Sequence, residues 1–416
     1  MKILWFTNTP SLAEDYLNNK PMNGGFIKSL EKIIQDKVDL SIAFYHSEEL
    51  PPFKYEKTTY YPIKQDNNSL LYKIKERLFN QIEPKNDLKK FIKIIEEVKP
   101  DLIHIHGTEG PFGLIQNVSL IPTVVSIQGN ISVYKLKFFS GIPLLAALKY
   151  SSFKSWIFFN TYLTRFIHFK KQAHREKRIF KISKNLIGRT NWDRRITKVL
   201  SPNSNYFHND EVLKDVFYEG KWQNKLEGTL NLFTTTGASI YKGIETLIYC
   251  AHLLDLNNIN FNWKVAGLDV NDDLIHIARK SVKRKLSKNI QFLGRLDDNK
   301  LKEIILNCNI YVAISHIENS PNSLCEALIL GAPCIATNAG GTSSLIEDGN
   351  NGILIQDGDA YSMAGAIIEL TENYNIAIDY GNSARKKALI KHDKNVIAND
   401  LLKIYKDILA KNGIKN

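Results

Sequence analysis

Residues 310–341 read IYVAISHIENSPNSLCEALILGAPCIATNAGG. The segment has three parts: an apolar run at Ile310–Ile314, a helical pattern at Ser323–Leu330 and a second short apolar run at Pro333–Thr337. Short apolar runs bounded by turn residues are typical of strands that are buried on both faces of a parallel sheet. The segment therefore predicts a strand–helix–strand unit within an α/β fold.

The same alternation of strands and helices continues on both sides of this segment. In the first half it predicts the strands Lys2–Asn8, Asp101–His106, Thr123–Ile127 and Asn205–His208 and the helices Phe26–Gln35 and Asp87–Val98. In the second half it predicts the strands Leu230–Thr235, Phe261–Ala266 and Ile290–Leu293 and the helices Gly243–Leu254, Asp273–Leu286 and Asn299–Asn307.

Two such series in 416 residues predict two doubly wound, Rossmann-like domains, because one core rarely extends over so long a chain. We expect an N-terminal domain over residues 1–218, a C-terminal domain over 219–385 and a C-terminal helical segment over 386–416. The polar stretch Glu219–Gly228 breaks the alternation and is the predicted linker.

Composition places the chain among ordinary globular proteins, with 44% apolar and 24% charged residues. No uninterrupted apolar run of about 18 residues is present, so a transmembrane helix is not expected. Residues Met1–Thr9 resemble a buried strand and not a secretory leader. The four cysteines lack metal-ligand spacing and are expected to be buried, reduced thiols of a cytoplasmic protein.

The positive charge is concentrated in one region. Residues 131–200 contain sixteen Lys and Arg against two acids, whereas the whole chain has a net charge of +12. Such a concentration indicates an anionic partner, either a phosphate group, a nucleic acid or a membrane surface. Nucleic acid is not expected, because no recognition motif accompanies the charge.

In open parallel sheets, ligands bind beyond the carboxyl ends of the strands. Two carboxylates flank such a position in the quoted segment, because Glu318 follows the first strand and Glu326 lies eight residues later in the next helix. Ser320 or Asn322 could cap that helix, whose free N–H groups and dipole favour a diphosphate. The two carboxylates could accept hydrogen bonds from sugar and ribose hydroxyls.

This stretch resembles the Glu-x7-Glu motif of the retaining glycosyltransferases of family 4, which have the GT-B fold. The resemblance spans nearly the whole chain and is strongest over residues 310–355. It implies two domains facing a central cleft and a C-terminal helix that returns to the N-terminal domain. It also implies transfer of a sugar from a nucleotide-sugar, with UDP as the expected nucleotide, in capsule, O-antigen or exopolysaccharide assembly. No metal and no cofactor are expected.

The resemblance also assigns roles to individual residues. Glu318 would bind hydroxyls of the donor sugar, and Glu326 would hold the ribose. The backbone near the motif would meet the sugar and the phosphates. The residues concerned are Asn319, Ser320, Pro321, Asn322 and Ser323.

Lys242-Gly243 resembles the Lys-Gly turn of the family, whose lysine neutralises the donor diphosphate. The family usually has an arginine just after the glycine that corresponds to Gly237, but Ala238 and Ser239 follow it here. Arg295 could compensate for that loss. Gly24 and Gly25 resemble the N-terminal glycine pair, which lets phosphates approach backbone amides.

In the first domain, His106 ends a predicted strand and is expected to face the cleft, with His104 pointing elsewhere or into the core. Gln128 stands where many relatives have a histidine, and it can bind a hydroxyl but cannot act as a base. This fits front-face substitution, in which the leaving diphosphate accepts the proton of the acceptor. Glu318, His106 and Gln128 are therefore the predicted catalytic set, and Arg189 and Thr190 the predicted acceptor side of the cleft.

Residues 133–180 mix Lys and Arg with large aromatic and apolar groups. Such a segment suits helices on an anionic membrane, on the inner face of which a polyprenyl-phosphate-linked saccharide acceptor would lie. Equally, the aromatic residues could pack in the core of the N-terminal domain. Both alternatives stay open from the sequence alone.

Two other functions compete with a transferase. One is a sugar-nucleotide epimerase of the same fold, and the other is a catalytically silent assembly partner, which the departures at Gln128, Ala238 and Ser239 favour. Retention of both glutamates opposes the silent partner. A nicotinamide dehydrogenase is disfavoured, because no G-x-G-x-x-G follows the opening strand of either predicted domain.

Overall fold

The structure of this chain is a computed structural model that describes residues 1–17, 25–65 and 87–413. These residues form two compact units. Unit 1 contains the described parts of Met1–Ser132, Ile167–Lys214 and His392–Asn416, and unit 2 contains Val133–Phe166 and Asp215–Lys391.

Among the described residues, unit 1 is built on a sheet of eight strands. In chain order they are β1 (Lys2–Thr7), β2 (Asp39–His46), β3 (Phe53–Tyr55), β4 (Thr58–Lys64), β5 (Leu102–His106), β6 (Thr123–Ser126), β7 (Asn185–Gly188) and β8 (Asn205–His208). Their spatial order is β3-β4-β2-β1-β5-β6-β7-β8. Only the β3–β4 pair is antiparallel among these strands, and the other neighbours run parallel.

The helices of unit 1 cover both faces of this sheet. They are α1 (Ala13–Tyr16), α2 (Gly25–Ile34), α3 (Asp87–Val98), most of α7 (Tyr162–Ile182), α8 (Asn191–Leu200) and α16 (Lys394–Lys411), with a 3-10 turn at Phe112–Asn117. One core cluster joins Trp5 and Ile42 to Leu401 and Tyr405 of α16. The implied return of the C-terminal helix to the N-terminal domain is therefore confirmed.

Unit 2 is built on a parallel sheet of six strands in its described residues. They are β9 (Leu230–Thr235), β10 (Phe261–Ala266), β11 (Ile290–Phe292), β12 (Ile310–Ala313), β13 (Cys334–Thr337) and β14 (Ile353–Ile355). The spatial order is β11-β10-β9-β12-β13-β14, so β12 lies between β9 and β13. This order places the turns after β9, β12 and β13 side by side at the carboxyl edge of the sheet.

The helices of unit 2 follow these strands in turn. They are α9 (Asp215–Tyr218), α10 (Ile244–Leu256), α11 (Asp273–Ser281), α12 (Asp298–Asn307), α13 (Asn322–Leu330), α14 (Ala360–Glu372) and α15 (Tyr374–Lys391), with 3-10 turns at Ile240–Lys242 and Thr342–Ser344. The predicted α/β architecture with two parallel sheets is confirmed. Helix α11 ends five residues before the predicted Leu286, and Lys283 beyond it adopts a left-handed φ of 53° that a helix cannot contain.

Residues 133–166 form short helices, which are α4 (Ile131–Tyr134, begun in unit 1), α5 (Leu144–Lys149) and α6 (Phe153–Ile157). The predicted boundaries place this segment in the first domain, whereas its contacts assign it to unit 2. The reason is aromatic packing, because the rings of Tyr134 and Phe138 lie 5.7 and 6.1 Å from the ring of Tyr241. The segment is thus neither wholly core nor wholly exposed.

The polar stretch predicted as a linker is anchored to unit 2. Its Trp222 is buried and donates from the indole N–H to the carbonyl of Cys308 at 2.7 Å. Its backbone N–H donates to the carbonyl of Leu330 at 2.8 Å. The sequence misses this anchor because a single tryptophan in a polar stretch gives no periodic signal.

The cysteines and the helix lengths bear on two expectations drawn from composition. All four cysteines are buried thiols that form no disulfide, and burial raises the pKa of the Cys308 thiol to about 12. Of the helices in the described ranges, none combines enough length and apolar character to cross a membrane.

Candidate functional site

An ion pair lies at the carboxyl edge of the unit 2 sheet. The ammonium of Lys242, in the turn after β9, contacts Oε1 of Glu318, in the loop after β12. The hydroxyl of Ser315 donates to the same oxygen at 2.9 Å. The two side chains keep 28% and 13% of their surface exposed, so both remain accessible to a ligand.

The ion pair between Lys242 and Glu318 keeps Lys242 protonated at this edge of the sheet. Burial acts to lower the pKa of Lys242, but the hydrogen bond and negative charge of Glu318 outweigh it and raise the pKa. Lys242 is therefore a permanent cation beside a carboxylate. A ligand that carries both phosphates and hydroxyls would match the two charges with separate groups.

Two glycines bring the three turns of this edge together. Gly243 has a φ of +76°, and a Cβ there would collide with the carbonyl oxygen of Ile314. Gly340 has a φ of +62°, and a Cβ there would collide with the carbonyl oxygen of Glu318. The next amide, of Gly341, donates to that same carbonyl at 2.9 Å. Side chains at either position would separate the turns that hold Lys242 and Glu318.

Helix α13 begins at this edge without a side-chain cap. Its N-cap residue is Pro321, whose side chain cannot accept a hydrogen bond, and not the predicted Ser320 or Asn322. Asn319 and Ser320 are buried in the loop before it, and Glu326 lies half-buried in its second turn. Ser323 occupies the first turn, next to Asn322. An uncapped N-terminus leaves amides that an anion could accept from.

The remaining predicted donor residues occupy separate places. Gly237 follows β9 directly, in open space that would accept a Cβ. Arg295 is exposed and follows β11, which is two strands away from β9 in the sheet. Gly25 begins α2 with a φ of +55°, and Gly24 lies outside the described residues. Their roles stay predictions.

A buried charge cluster supports the loop that contains Glu318. His316 lies within hydrogen-bonding distance of Glu245 at 2.6 Å and near Asp357 at 3.3 Å. Asp357 also pairs with Lys137 at 3.0 Å. Burial acts to lower the pKa of His316, but the two carboxylates outweigh it and raise the pKa. Asp357 is thus engaged in a turn, as the sequence indicates, and Asp359 caps α14.

The carboxyl edge of the unit 1 sheet differs from the sequence prediction at its histidines. His104 and His106 are both buried, with ring centroids 3.8 Å apart, so they point to the same side. Residues two apart on a strand share a face, so the expectation that His104 points elsewhere is wrong, whereas the alternative that it lies in the core is confirmed by its burial. His104 is held by Tyr405 at 2.6 Å and by Ser126 at 2.7 Å.

His106 lines an open pocket together with Phe26, Ser126, Arg189 and Asn209. Both of its ring nitrogens are buried without a partner. Burial, assisted by the charge of Arg189, lowers the pKa of His106 to about 3. The ring is therefore neutral, which suits a hydrogen-bonding role and excludes a standing positive charge.

The predicted acceptor residues have structural contacts of their own. Arg189 is ion-paired with Glu211, and its guanidinium lies 5.0 Å from the ring centre of Phe26. The side chain of Thr190 caps α8 by accepting from the amide of Asp193 at 3.1 Å. Arg189 therefore forms a wall of the pocket, whereas Thr190 positions the helix beside it.

The structure also shows polar residues that the sequence analysis did not select. Glu109 follows β5, and burial raises the pKa of its carboxyl group to about 7. Asn130 follows β6, and both polar atoms of its amide are buried without a partner. Gln128 lies two residues before it, half-buried. The only signal for Glu109 in the sequence was its place between two glycines after a strand end.

Residues 219–387 match the family described as Glycosyl transferases group 1. The match covers the whole of the Lys242–Glu318 edge and helix α13. The C-terminal part of the chain is therefore similar to the group 1 glycosyl transferases.

Several characterised and uncharacterised proteins are similar to this chain. An uncharacterized glycosyltransferase of Methanocaldococcus jannaschii is 29% identical over 44% of this chain and 52% of its own length. The N-acetyl-alpha-D-glucosaminyl L-malate synthase of Bacillus anthracis is 29% identical over 30% of this chain and 32% of its own. The N,N'-diacetylbacillosaminyl-diphospho-undecaprenol alpha-1,3-N-acetylgalactosaminyltransferase of Campylobacter jejuni is 27% identical over 29% of this chain and 31% of its own length. The chain spans about half or less of each of these relatives.

Solved structures resemble the chain over nearly its full length. The sucrose-phosphate synthase of Thermosynechococcus elongatus has a TM-score of 0.70 at 14% identity and covers 98% of this chain and 99% of its own. HepE of Anabaena, in complex with UDP and glucose, has a TM-score of 0.64 at 14% identity, with 98% and 99% covered. These likenesses confirm the predicted GT-B fold.

Proposed function

We propose that this protein is a retaining glycosyltransferase that moves a sugar, of hexose type, from a nucleotide-sugar to a saccharide acceptor. The observation that carries the proposal is the Lys242–Glu318 pair beside the uncapped start of α13. A cation and free amides suit a diphosphate, and a carboxylate suits sugar hydroxyls. The donor would place its phosphates on Lys242 and its sugar on Glu318, and would separate the two charges as it binds.

The chemistry would depend on positioning and on charge stabilisation. In front-face substitution the bond from the sugar to the diphosphate oxygen breaks while the acceptor oxygen attacks from the same face. The departing diphosphate accepts the proton of the acceptor, and Lys242 stabilises the charge that develops on it. No enzymic base is required, which agrees with a glutamine at position 128 and a neutral His106.

The neutral groups of unit 1 suit the acceptor. His106 offers two unpartnered ring nitrogens to the pocket, and the oxygen of the Asn209 side chain there is also unpartnered. Neutral donors and acceptors match sugar hydroxyls without requiring an opposite charge. His106 and Gln128 would therefore bind hydroxyls of the acceptor.

The expected donor and acceptor are taken from proteins that are similar to this chain. UDP and glucose are bound to HepE, and an undecaprenol diphosphate is named for the Campylobacter enzyme. We accordingly expect a UDP-sugar donor and a saccharide or polyprenyl-phosphate-linked acceptor in cell-surface polysaccharide synthesis. The protein would act in the cytoplasm, on the inner face of the plasma membrane. It would need no metal, so EDTA should leave the transfer rate unchanged.

Thermal shift with UDP, GDP, ADP, CMP and NAD tests the proposal. A ligand at 100 times its dissociation constant stabilises the folded state by about 2.7 kcal/mol, which raises the melting temperature by several degrees. We expect a shift with one nucleoside diphosphate in the wild type. Lys242→Met should weaken that affinity by roughly 10- to 100-fold, because it removes a charged hydrogen bond to phosphate.

Lys300→Met is the matched control, since Lys300 is exposed in the same unit and its ammonium pairs with its helix neighbour Glu303. A shift with no nucleoside diphosphate would favour the silent assembly partner. Binding of UDP-sugar with inversion at a sugar carbon and no transfer would favour the epimerase.

A further inference from the structure

Large apolar side chains are exposed on two consecutive short helices of unit 2. Phe153, Trp156 and Ile157 on α6 keep 79%, 49% and 51% of their surface exposed. Leu145 on α5 keeps 80% exposed. Residues three and four apart on a helix share a face, so the three residues of α6 form one apolar surface. We call this set of four residues the α5–α6 patch.

The opposite side of α6 is fixed to unit 2. The hydroxyls of Ser152 and Ser155 donate to Oδ2 of Asp273 at 2.6 and 2.8 Å. Ser152 also caps α6 by accepting from the amide of Ser155. Helix α6 is therefore attached through its small polar residues, and this attachment turns its large apolar residues outward.

The segment that contains the patch has charge of one sign. Residues 133–166 contain five Lys and Arg and no Asp or Glu. Lys149 and Lys154 are exposed within the patch segment. The carboxylate of Asp273, on the attached side of α6, accepts hydrogen bonds from two serine hydroxyls. Large apolar groups beside basic ones are complementary to the interface of an anionic bilayer, where the headgroups attract the lysines and the apolar groups enter the acyl region.

We infer that the α5–α6 patch docks unit 2 onto the surface of a bilayer that contains anionic phospholipid. Phe153, Trp156, Ile157 and Leu145 enter the interface, and Lys149 and Lys154 contact the headgroups. The inference deepens the proposed function, on which it rests for the presence of a lipid-linked acceptor at that surface. Docking itself needs only the patch, so the two can fail separately.

Sedimentation with vesicles tests the inference. We expect the full chain to bind vesicles of phosphatidylcholine with phosphatidylglycerol and to bind pure phosphatidylcholine much more weakly. Replacing Phe153, Trp156 and Ile157 together by serine should weaken binding by at least about tenfold. The reason is that each of these side chains removes apolar surface from water when it enters the bilayer, which favours binding. K149E/K154E should weaken it by about fivefold for each lysine, and added salt should do the same.

Two control variants match these changes. Leu256→Ser with Ile390→Ser removes equally exposed apolar groups elsewhere on unit 2, and K386E/K403E reverses two exposed lysines outside the patch. Both should bind vesicles as the wild type does. The UDP thermal shift of every variant is measured in parallel, so that damage to the fold or to the donor site is seen separately.

Fluorescence gives a second readout that does not depend on variants. Trp156 is the exposed member of the five tryptophans, all of which are described. Brominated lipid should quench its emission in anionic vesicles, and Trp156→Phe should remove the quenching. Absence of binding to anionic vesicles, equal binding to both kinds, or unchanged binding of the serine variant would each overturn the inference.

Discussion

The carboxyl edges of the two sheets differ in how their charged groups are held. In unit 2 a lysine and a glutamate stand paired and partly exposed, with the pKa of Lys242 raised. In unit 1 burial lowers the pKa of His106 to about 3 and raises that of Glu109 to about 7, and Arg189 and Glu211 form a buried ion pair. The edge of unit 1 therefore combines a neutral imidazole with a buried ion pair, whereas the ion pair of unit 2 is partly exposed.

The difference follows from what each edge would bind. A diphosphate needs a countercharge, and Lys242 keeps that charge because a carboxylate compensates its partial burial. A hydroxyl can be bound by neutral donors and acceptors, and burial in unit 1 favours the neutral forms of both Glu109 and His106. One fold can thus serve two chemically different ligands by changing how deeply its strand ends are covered.

The largest expected effect comes from removing the carboxylate of the charged edge. Glu318→Ala should lower the transfer rate by on the order of a hundredfold or more, because a preorganised polar contact to the reacting sugar is lost. Nucleotide affinity should stay the same or become tighter, since Lys242 is released from its partner. Steady-state kinetics with a UDP-sugar and calorimetry with UDP measure the two quantities.

Glu303→Ala is the control for general effects of charge, since Glu303 is exposed on the same unit. Full transfer activity of the Glu318 variant would remove Glu318 from the site. Equal loss of nucleotide affinity and of transfer rate would assign it to the phosphates instead of the sugar.

The second effect concerns the neutral edge. A carboxyl whose pKa is raised from 4.5 to about 7 contributes stability that is present below pH 4.5 and is lost as the pH rises through 7. Glu109→Gln removes this titration, so the variant should be more stable than the wild type by about 3 kcal/mol above pH 7 and similar to it below pH 4.5. Urea unfolding as a function of pH measures the difference.

The pKa of His106 is shifted in the opposite direction to that of Glu109, so its contribution to stability has the opposite pH dependence. Its pKa is lowered, so its contribution is present above the ordinary value of 6.5 and is lost as the pH falls toward 3. His106→Gln should therefore flatten the acid side of the profile and leave the alkaline side alone. A Glu109 variant that changed only the acid side would contradict the assignment of a neutral carboxyl at this edge.

The smallest effect is expected at the buried cluster behind Glu318. The pKa of His316 is raised, so its stabilisation is present below 6.5 and is lost as the pH rises through the raised pKa. His316→Gln should destabilise unit 2 by about 1–3 kcal/mol at pH 6, since it leaves Glu245 buried without its cation, and by less at high pH. Lys137→Gln, which removes the more exposed partner of Asp357, should cost less than about 1 kcal/mol.

The sequence predicted the regular parts of the fold well, because strands buried on both faces have a distinctive pattern. The strands β9, β10 and β12 and the helices α3 and α13 begin and end within a residue or so of their predicted positions. The charged edge was also accessible to sequence reasoning. Lys242 and Glu318 stand next to strand ends, and the glycines that bring their turns together are visible in the sequence.

Features that depend on contacts between distant segments were not predictable. The packing of residues 133–166 on Tyr241 and the neutral state of His106 both depend on partners far away in the chain. The identical orientation of His104 and His106 was predictable from strand periodicity, but was missed because only one of them was assigned a role. Glu109 carried no periodic signal, and only its burial distinguishes it.

The placement of α16 has a consequence for biosynthesis. Its Leu401 and Tyr405 complete a core cluster that also contains Trp5, so unit 1 joins the first strand of the chain to its last described helix. The segments of unit 2 all precede that helix. During translation unit 2 can therefore complete its contacts before α16 is available. The apolar side chains of unit 1 that pack against α16 stay uncovered until that helix has left the ribosome.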